Sequence, residues 1–160
     1  RMRAIAGQLG RRMIEIDPSE AKRYGGNTKA FIREFSALIK SLEAKAAPLR
    51  GTNIAAQAEH SVYLLKWLKI NTVAVVEPTV GVPPGPADLA RIIEQTPRDN
   101  IKFVIYAAYQ NPRPSAFVSE RAKIPLVELP FTVGGTEDSK TVGDFFRASV
   151  QRMLDALNGK

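Results

Sequence analysis

At 160 residues, with 44% hydrophobic content and no cysteine, the chain is long enough to bury one sizeable core, while structural disulfides and thiolate metal sites are excluded. No apolar run approaches the roughly 20 residues that span a bilayer, and no signal peptide is visible; the opening on Arg1 instead of an initiator leads to the expectation of a cut or processed polypeptide. The net charge of +7 is uneven: through Arg50 there are 11 basic against 5 acidic residues, so +6 lies in the first third. Arg1, Arg3, Arg11, Arg12, Lys22, Arg23, Lys29 and Arg33 are spread over helical turns without the interleaved aromatic rings of single-strand binders. They read as a solvated helix face, with no nucleic-acid partner expected.

The chain opens on a helical pattern from Met2 to Ile16, with Ile5, Leu9, Met13 and Ile14 at helical spacing up to Asp17-Pro18. Asp17 suits a cap, Pro18 a first turn, and Glu20 lies three residues on, close to a capping-box arrangement. Gly25-Gly26 predicts a break or kink, because each glycine costs about 1 kcal/mol against alanine inside a helix. From Thr28 to Ala47 the residues Phe31, Ile32, Phe35, Leu38, Ile39 and Leu42 form one apolar stripe on a long helix that Pro48 ends.

After Gly51 the pattern turns to short apolar strands separated by helices. Strands are predicted at Asn53–Gln57, Thr72–Val76, Lys102–Ala107 and Pro125–Leu129, and helices at Ser61–Leu68, Ala87–Gln95, Pro114–Arg121 and Val142–Leu157. Val73, Val75 and Val76 show no polar alternation, as in a strand covered on both faces. The expected fold is therefore α/β, a four-stranded parallel sheet flanked by helices and preceded by a long N-terminal helix, with residues 1–50 as N-terminal helices and 51–160 as the α/β lobe.

In such a fold all four strands end at one rim, where open α/β sheets place their ligands. The residues expected there are Ala58-Glu59-His60, Glu77 with the Pro83-Pro84 loop, Tyr109-Gln110, and Thr132 with Glu137-Asp138. His60 is the sole histidine; imidazole is a common ligand for zinc and other first-row metals, and a carboxylate such as Glu59 could accompany it. From the pattern alone the same residue reads first as a structural or capping histidine, and Glu59 and Glu77 first as acids facing helix starts. Gly134-Gly135-Thr136 lacks both phosphate-loop spacings and reads as a tight turn, Tyr106, Tyr109, Trp67 and Phe131 read as core or pocket wall, and no G-x-S-x-G elbow is present.

The order of Pro48-Leu49-Arg50-Gly51, Tyr63-Leu-Leu-Lys-Trp-Leu68, Val76-Glu-Pro-Thr-Val-Gly-Val-Pro-Pro84, Ala107-Ala-Tyr-Gln-Asn-Pro112 and Leu129-Pro-Phe-Thr-Val-Gly-Gly135 resembles the C-terminal half of the zinc/manganese ABC-transporter periplasmic substrate-binding proteins, cluster A-I, over about Met13 to Leu157. The resemblance implies a non-enzymatic solute-binding component for divalent metal, with zinc or manganese as cargo, a periplasmic location and a membrane permease as partner. It also implies two α/β lobes joined by one long rigid helix, so Thr28–Ala47 looks like that helix, residues beyond it like the C-terminal lobe, and the N-terminal lobe with its usual two histidines is missing. Aligned on Tyr63, the position of the family's C-lobe histidine falls at Ala58, two residues before His60, and the position of its last aspartate falls within Phe131–Val133. His60 and Glu59 are the metal-ligand candidates, with Glu137 or Asp138 substituting only if their loop folds back. A lobe with one imidazole is expected to bind zinc weakly or not at all, and the face carrying Tyr109, Phe131 and Pro83-Pro84 is expected to self-associate. Two other readings stand beside this one: an α/β interaction domain of the same ancestry that no longer binds metal, and a hydrolase or transferase using His60 with Glu59 or Glu77 as acid and base.

Overall fold

The computed structural model describes residues 2–79 and 82–159, so Val80 and Gly81 of the proline-rich loop, and Arg1 of the basic set, lie outside the described residues. The chain divides into two units, residues 1–44 and 45–160.

The first unit holds α1 (Met2–Ile16), a 3-10 turn (Pro18–Glu20) and α2 (Ala21–Lys45), whose last residue opens the second unit. Gly10 is the buried residue of α1, and a Cβ there would lie 2.2 Å from the Thr28 hydroxyl oxygen on α2, so glycine is what lets the two backbones approach at this point. The expected break at Gly25-Gly26 does not occur, because α2 passes through both without interruption and ends at Lys45, short of Ala47. Propensity is outweighed by 23 other residues of a 25-residue helix in which bonds, once nucleated, propagate cooperatively. Asp17 makes no capping bond either: its carboxylate accepts from the Ser19 hydroxyl (2.5 Å) and the Tyr24 hydroxyl (3.1 Å). These bonds, Ser19's foremost, hold the Asp17 pKa below the ordinary carboxylate value.

The second unit is the α/β body: β1 (Asn53–Ala56), α3 (Val62–Leu68), β2 (Asn71–Val75), α4 (Pro86–Arg98), β3 (Ile101–Ala107), α5 (Arg113–Ala122), β4 (Leu126–Leu129) and α6 (Val142–Leu157). All strands are parallel in the order β2-β1-β3-β4, so the connection from β2 to β3 passes over β1 and the sheet has its switch point between β1 and β3. The predicted parallel sheet is therefore the observed one. Val104 and Ile105, consecutive on β3 and thus pointing to opposite faces, are both buried, which shows that both faces are covered. One core joins Ala55, Ala74, Val76 and Val104 of the sheet region to Ile92 of α4 and Val118 of α5.

Helix ends follow local chemistry. The Asp88 carboxylate accepts from the Gly85 N–H (3.0 Å) at the start of α4, and Thr141 Oγ1 accepts from the Asp144 N–H (3.1 Å) while donating to its carboxylate (2.7 Å) at the start of α6. That last bond lowers the Asp144 pKa. α4 runs three residues past the predicted Gln95, with Pro97 inside its final turn, where the Thr96 hydroxyl donates back to the Ile92 carbonyl.

Candidate functional site

Backbone pairing carries the sheet one residue past β1 and β2: Gln57 N–H donates to Ile105 O and Glu77 N–H to Gln57 O, each at 2.8 Å. Gln57 thus sits at the switch point, 1% exposed, where an unpaired amide would be costly. Its Nε2 donates to the Glu77 carboxylate (2.8 Å) and the Asn111 carbonyl (3.0 Å), and its Oε1 accepts from the buried Ser115 hydroxyl at the start of α5 (2.8 Å). One side chain therefore ties the ends of β1 and β2 to the β3–α5 loop. Neither Gln57 nor Ser115 was singled out from the sequence, although a glutamine closing the run Ile54-Ala55-Ala56 is the kind of signal that marks such a node.

Beside this node, Ala58 is buried, and Glu59–Ser61 form a single 3-10 turn that leads into α3 and leaves Glu59 and His60 exposed. The His60 ring lies 5.9 Å from Tyr109 after β3 and 5.7 Å, edge-on, from Phe131 after β4, and those two rings are 4.7 Å apart. Three strand ends thus bring together an imidazole and two half-exposed aromatic rings. A cavity of about 210 Å³ opens against Ala108, Tyr109, Phe131, Thr132 and Gly135.

In the loop after β4, the Asp138 carboxylate is taken up by α6. Gly134, at φ +80, donates to the Ser139 carbonyl (2.7 Å), and Gly135 donates to Thr132 O (3.0 Å), which confirms the tight turn read at these glycines. Asp138 accepts from the Thr136 hydroxyl (2.7 Å) and from two edges of the Arg152 guanidinium on α6, Nη2 at 3.0 Å and Nε at 3.3 Å. The Thr136 and Arg152 bonds hold the Asp138 pKa below the ordinary value. Arg152 also reaches the Glu128 carboxylate (3.0 Å), which accepts from Tyr106 Oη as well (3.0 Å). Burial, and then the Glu128 bond, raise the Tyr106 pKa. Burial works against the Arg152 charge, but Asp138 and Glu128 outweigh it and the net shift is upward.

A tetrahedral zinc site draws three or four nitrogen, sulfur or oxygen ligands from the protein. The two candidates, His60 and Glu59, would fall short of that number, and among the described residues no group of three or more histidine, aspartate or glutamate side chains is placed to hold a metal ion. The donors on this rim do not by themselves fit a closed metal site. Nor is Glu77 joined to His60 in an acid–base pair; its described partner is Gln57.

The family described as zinc-uptake complex component A, periplasmic, matches residues 1–158. Among solved structures, a manganese-bound periplasmic metal-binding protein of Candidatus Liberibacter asiaticus is similar at 16% identity and TM-score 0.74, over 95% of this chain and 58% of that one. A structure of ZnuA gives 17% identity and TM-score 0.77 over 92% and 53%, and the binding protein FpvC of Pseudomonas aeruginosa, in complex with Mn2+, gives 20% and 0.71 over 96% and 56%. These likenesses show the fold, and this chain spans a little over half the length of those proteins. No match was found among curated proteins. By the match over nearly its whole length, the chain belongs to the ZnuA family of zinc-uptake components, a family of binding proteins and not of enzymes.

Proposed function

We propose that this chain is the C-terminal lobe and linking helix of a periplasmic solute-binding component that carries a divalent metal, zinc or manganese, to an ABC-transporter permease. The observation that carries the reading is the placement of the one imidazole, His60, at the carboxyl rim of a parallel sheet in a chain that belongs to this family. In this reading α2 is the linking helix, His60 and Glu59 are the lobe's contribution to the ion, and a further lobe completes the coordination. Two donors order an ion at a cost that the missing donors do not share, so binding to this chain alone is weak.

Because His60 is the sole histidine, its ring gives one assignable pair of imidazole carbon-bound proton signals. Zinc at millimolar concentration is expected to shift that pair, and manganese to broaden it. Calorimetry is expected to show no tight stoichiometric event. Unmoved imidazole signals at millimolar zinc would overturn the metal reading. That outcome would favour the interaction domain of the same ancestry, a reading supported by the aromatic neighbours of His60 and by Ala58 at the family's histidine position.

A further inference from the structure

The helix α1 has two apolar sides. Ala6, Gly7, Gly10 and Ile14 lie on the less exposed one, where Gly10 approaches Thr28 of α2. Met2, Ile5, Leu9, Met13 and Ile16 lie on the other, and all five are exposed, Leu9 at 59%. At 3.6 residues per turn they fall within an arc of roughly 80°, and no charged residue of the helix falls inside it. Arg12 flanks the arc and is paired with Glu15 of its own helix at 2.9 Å. The stripe is thus surplus to the packing of α1 on α2.

Its spacing points to the partner. Successive members are 3, 4, 4 and 3 residues apart, an order that reads the same in both directions with Leu9 at its centre. Two copies laid antiparallel about a two-fold axis at Leu9 therefore meet apolar residue to apolar residue along the whole stripe: Leu9 with Leu9, Ile5 with Met13 and Met2 with Ile16. Ile5 and Ile16 lean to one side of the stripe and Met2 and Met13 to the other, so each of the outer pairs fills both halves of the seam. A lipid surface or an unrelated protein requires no such symmetry.

We propose that this stripe is an interface between two copies of the chain, an antiparallel α1–α1 pair with isologous contacts. It lies on a different element from the sheet rim and does not depend on the metal-carrying reading. The exposed fractions of the five side chains leave on the order of 500 Å² to cover on each copy, against roughly 800 Å² per partner in a standard interface. The pair is therefore weak, with a dissociation constant of about 10–100 μM expected.

Sedimentation of the whole chain across that concentration range is expected to show a monomer–dimer equilibrium. Leu9→Glu sets like charges face to face on the axis and should raise the dissociation constant at least about tenfold, with Leu9→Ala a smaller step in the same direction. Neither should change the melting temperature of the dilute monomer, because Leu9 is exposed in the single chain. The chain has no cysteine, so one substituted thiol reports one position. Under mild oxidation Leu9→Cys is expected to give a disulfide-linked dimer, and so is a mixture of Ile5→Cys with Met13→Cys, while Gln8→Cys, outside the stripe, gives little. Ile5→Cys linking to itself as readily as to Met13→Cys overturns the antiparallel pair. Association relieved by Phe131→Ser and not by Leu9→Glu belongs to the rim and overturns the proposal. A monomer at every concentration, with Leu9→Cys linking no faster than Gln8→Cys, overturns it as well. In that case, co-sedimentation with vesicles of phosphatidylglycerol and phosphatidylcholine that Leu9→Glu abolishes gives the face to a lipid surface, and its absence leaves the face to the further lobe.

Discussion

The Gln57 side-chain amide donates to the Glu77 carboxylate at 2.8 Å from a position that is 1% exposed. Replacing it with leucine strands the Ser115 hydroxyl and the Asn111 carbonyl as well as the carboxylate. Ser115 is the fully buried one of the three, and an orphaned buried group costs about 1–3 kcal/mol, with the partly solvated carboxylate and carbonyl adding less. Gln57→Leu is therefore expected to lose about 2–4 kcal/mol in urea unfolding, and a loss below about 1 kcal/mol would mean that the node is idle. Gln57→Glu keeps the acceptor for Ser115 but sets a second carboxylate against Glu77. Its pKa is expected to lie above the ordinary glutamate value in the folded state, so its deficit relative to wild type should narrow as pH falls through that raised value.

Arg152 gathers Asp138, Glu128 and the Glu128 carbonyl onto α6. Half-exposed partners limit the gain, and Arg152→Ala is expected to cost about 1–2 kcal/mol. The pH dependence has a definite sign. The folded Asp138 pKa lies below its ordinary value of 3.8, so its contribution is full above that value and is lost as pH falls from 3.8 through the lowered folded value. In Asp138→Asn this acid slope should flatten; an unchanged slope below pH 4 would assign acid sensitivity elsewhere.

At Gly10 an added methyl would sit 2.2 Å from the Thr28 hydroxyl oxygen and 2.9 Å from its methyl group. Gly10→Ala should therefore destabilise the helical pair by about 1–3 kcal/mol, despite alanine's better helix propensity. Thr28→Ala removes both nearest atoms and is expected to restore part of the loss. Equal melting temperatures for wild type and Gly10→Ala would show that the helices separate freely at this point.

Tyr109 (59% exposed), Phe131 (48%) and Val133 (47%) present apolar surface on the loops at the rim. Sedimentation at rising protein concentration is expected to show weak self-association that Phe131→Ser reduces. A single monomeric boundary at high concentration counts against it.

Element types were legible in the residues because hydrophobic period and proline placement agree with the tertiary structure throughout the α/β body, from Val73-Ala74-Val75 on β2 to Val142–Leu157 on α6. Gly25-Gly26 misled because local propensity is a small term against a helix already propagating on both sides. At the rim, the convergence of His60 with Tyr109 and Phe131 follows from parallel strand direction, and His60 and the aromatic residues were visible as candidates. The node at Gln57 and Ser115 was not, since 58 residues separate them and only the strand order, which places β1 beside β3, makes them neighbours. The engagement of Asp138 by Arg152, 14 residues on, depended likewise on how the loop after β4 closes on itself.

The uninterrupted course of α2 through Gly25 and Gly26 has a mechanical side. A helix of 25 residues is a rod about 37 Å long, and beyond the adjoining residues and backbone of the helix itself nothing lies within 4 Å of where a Cβ would stand on either glycine. With no side chain to brace it, the second turn is the most compliant part of the rod. Elastic deformation under load should concentrate there, and filling both sites with alanine would stiffen the rod at its weakest section without disturbing a neighbour.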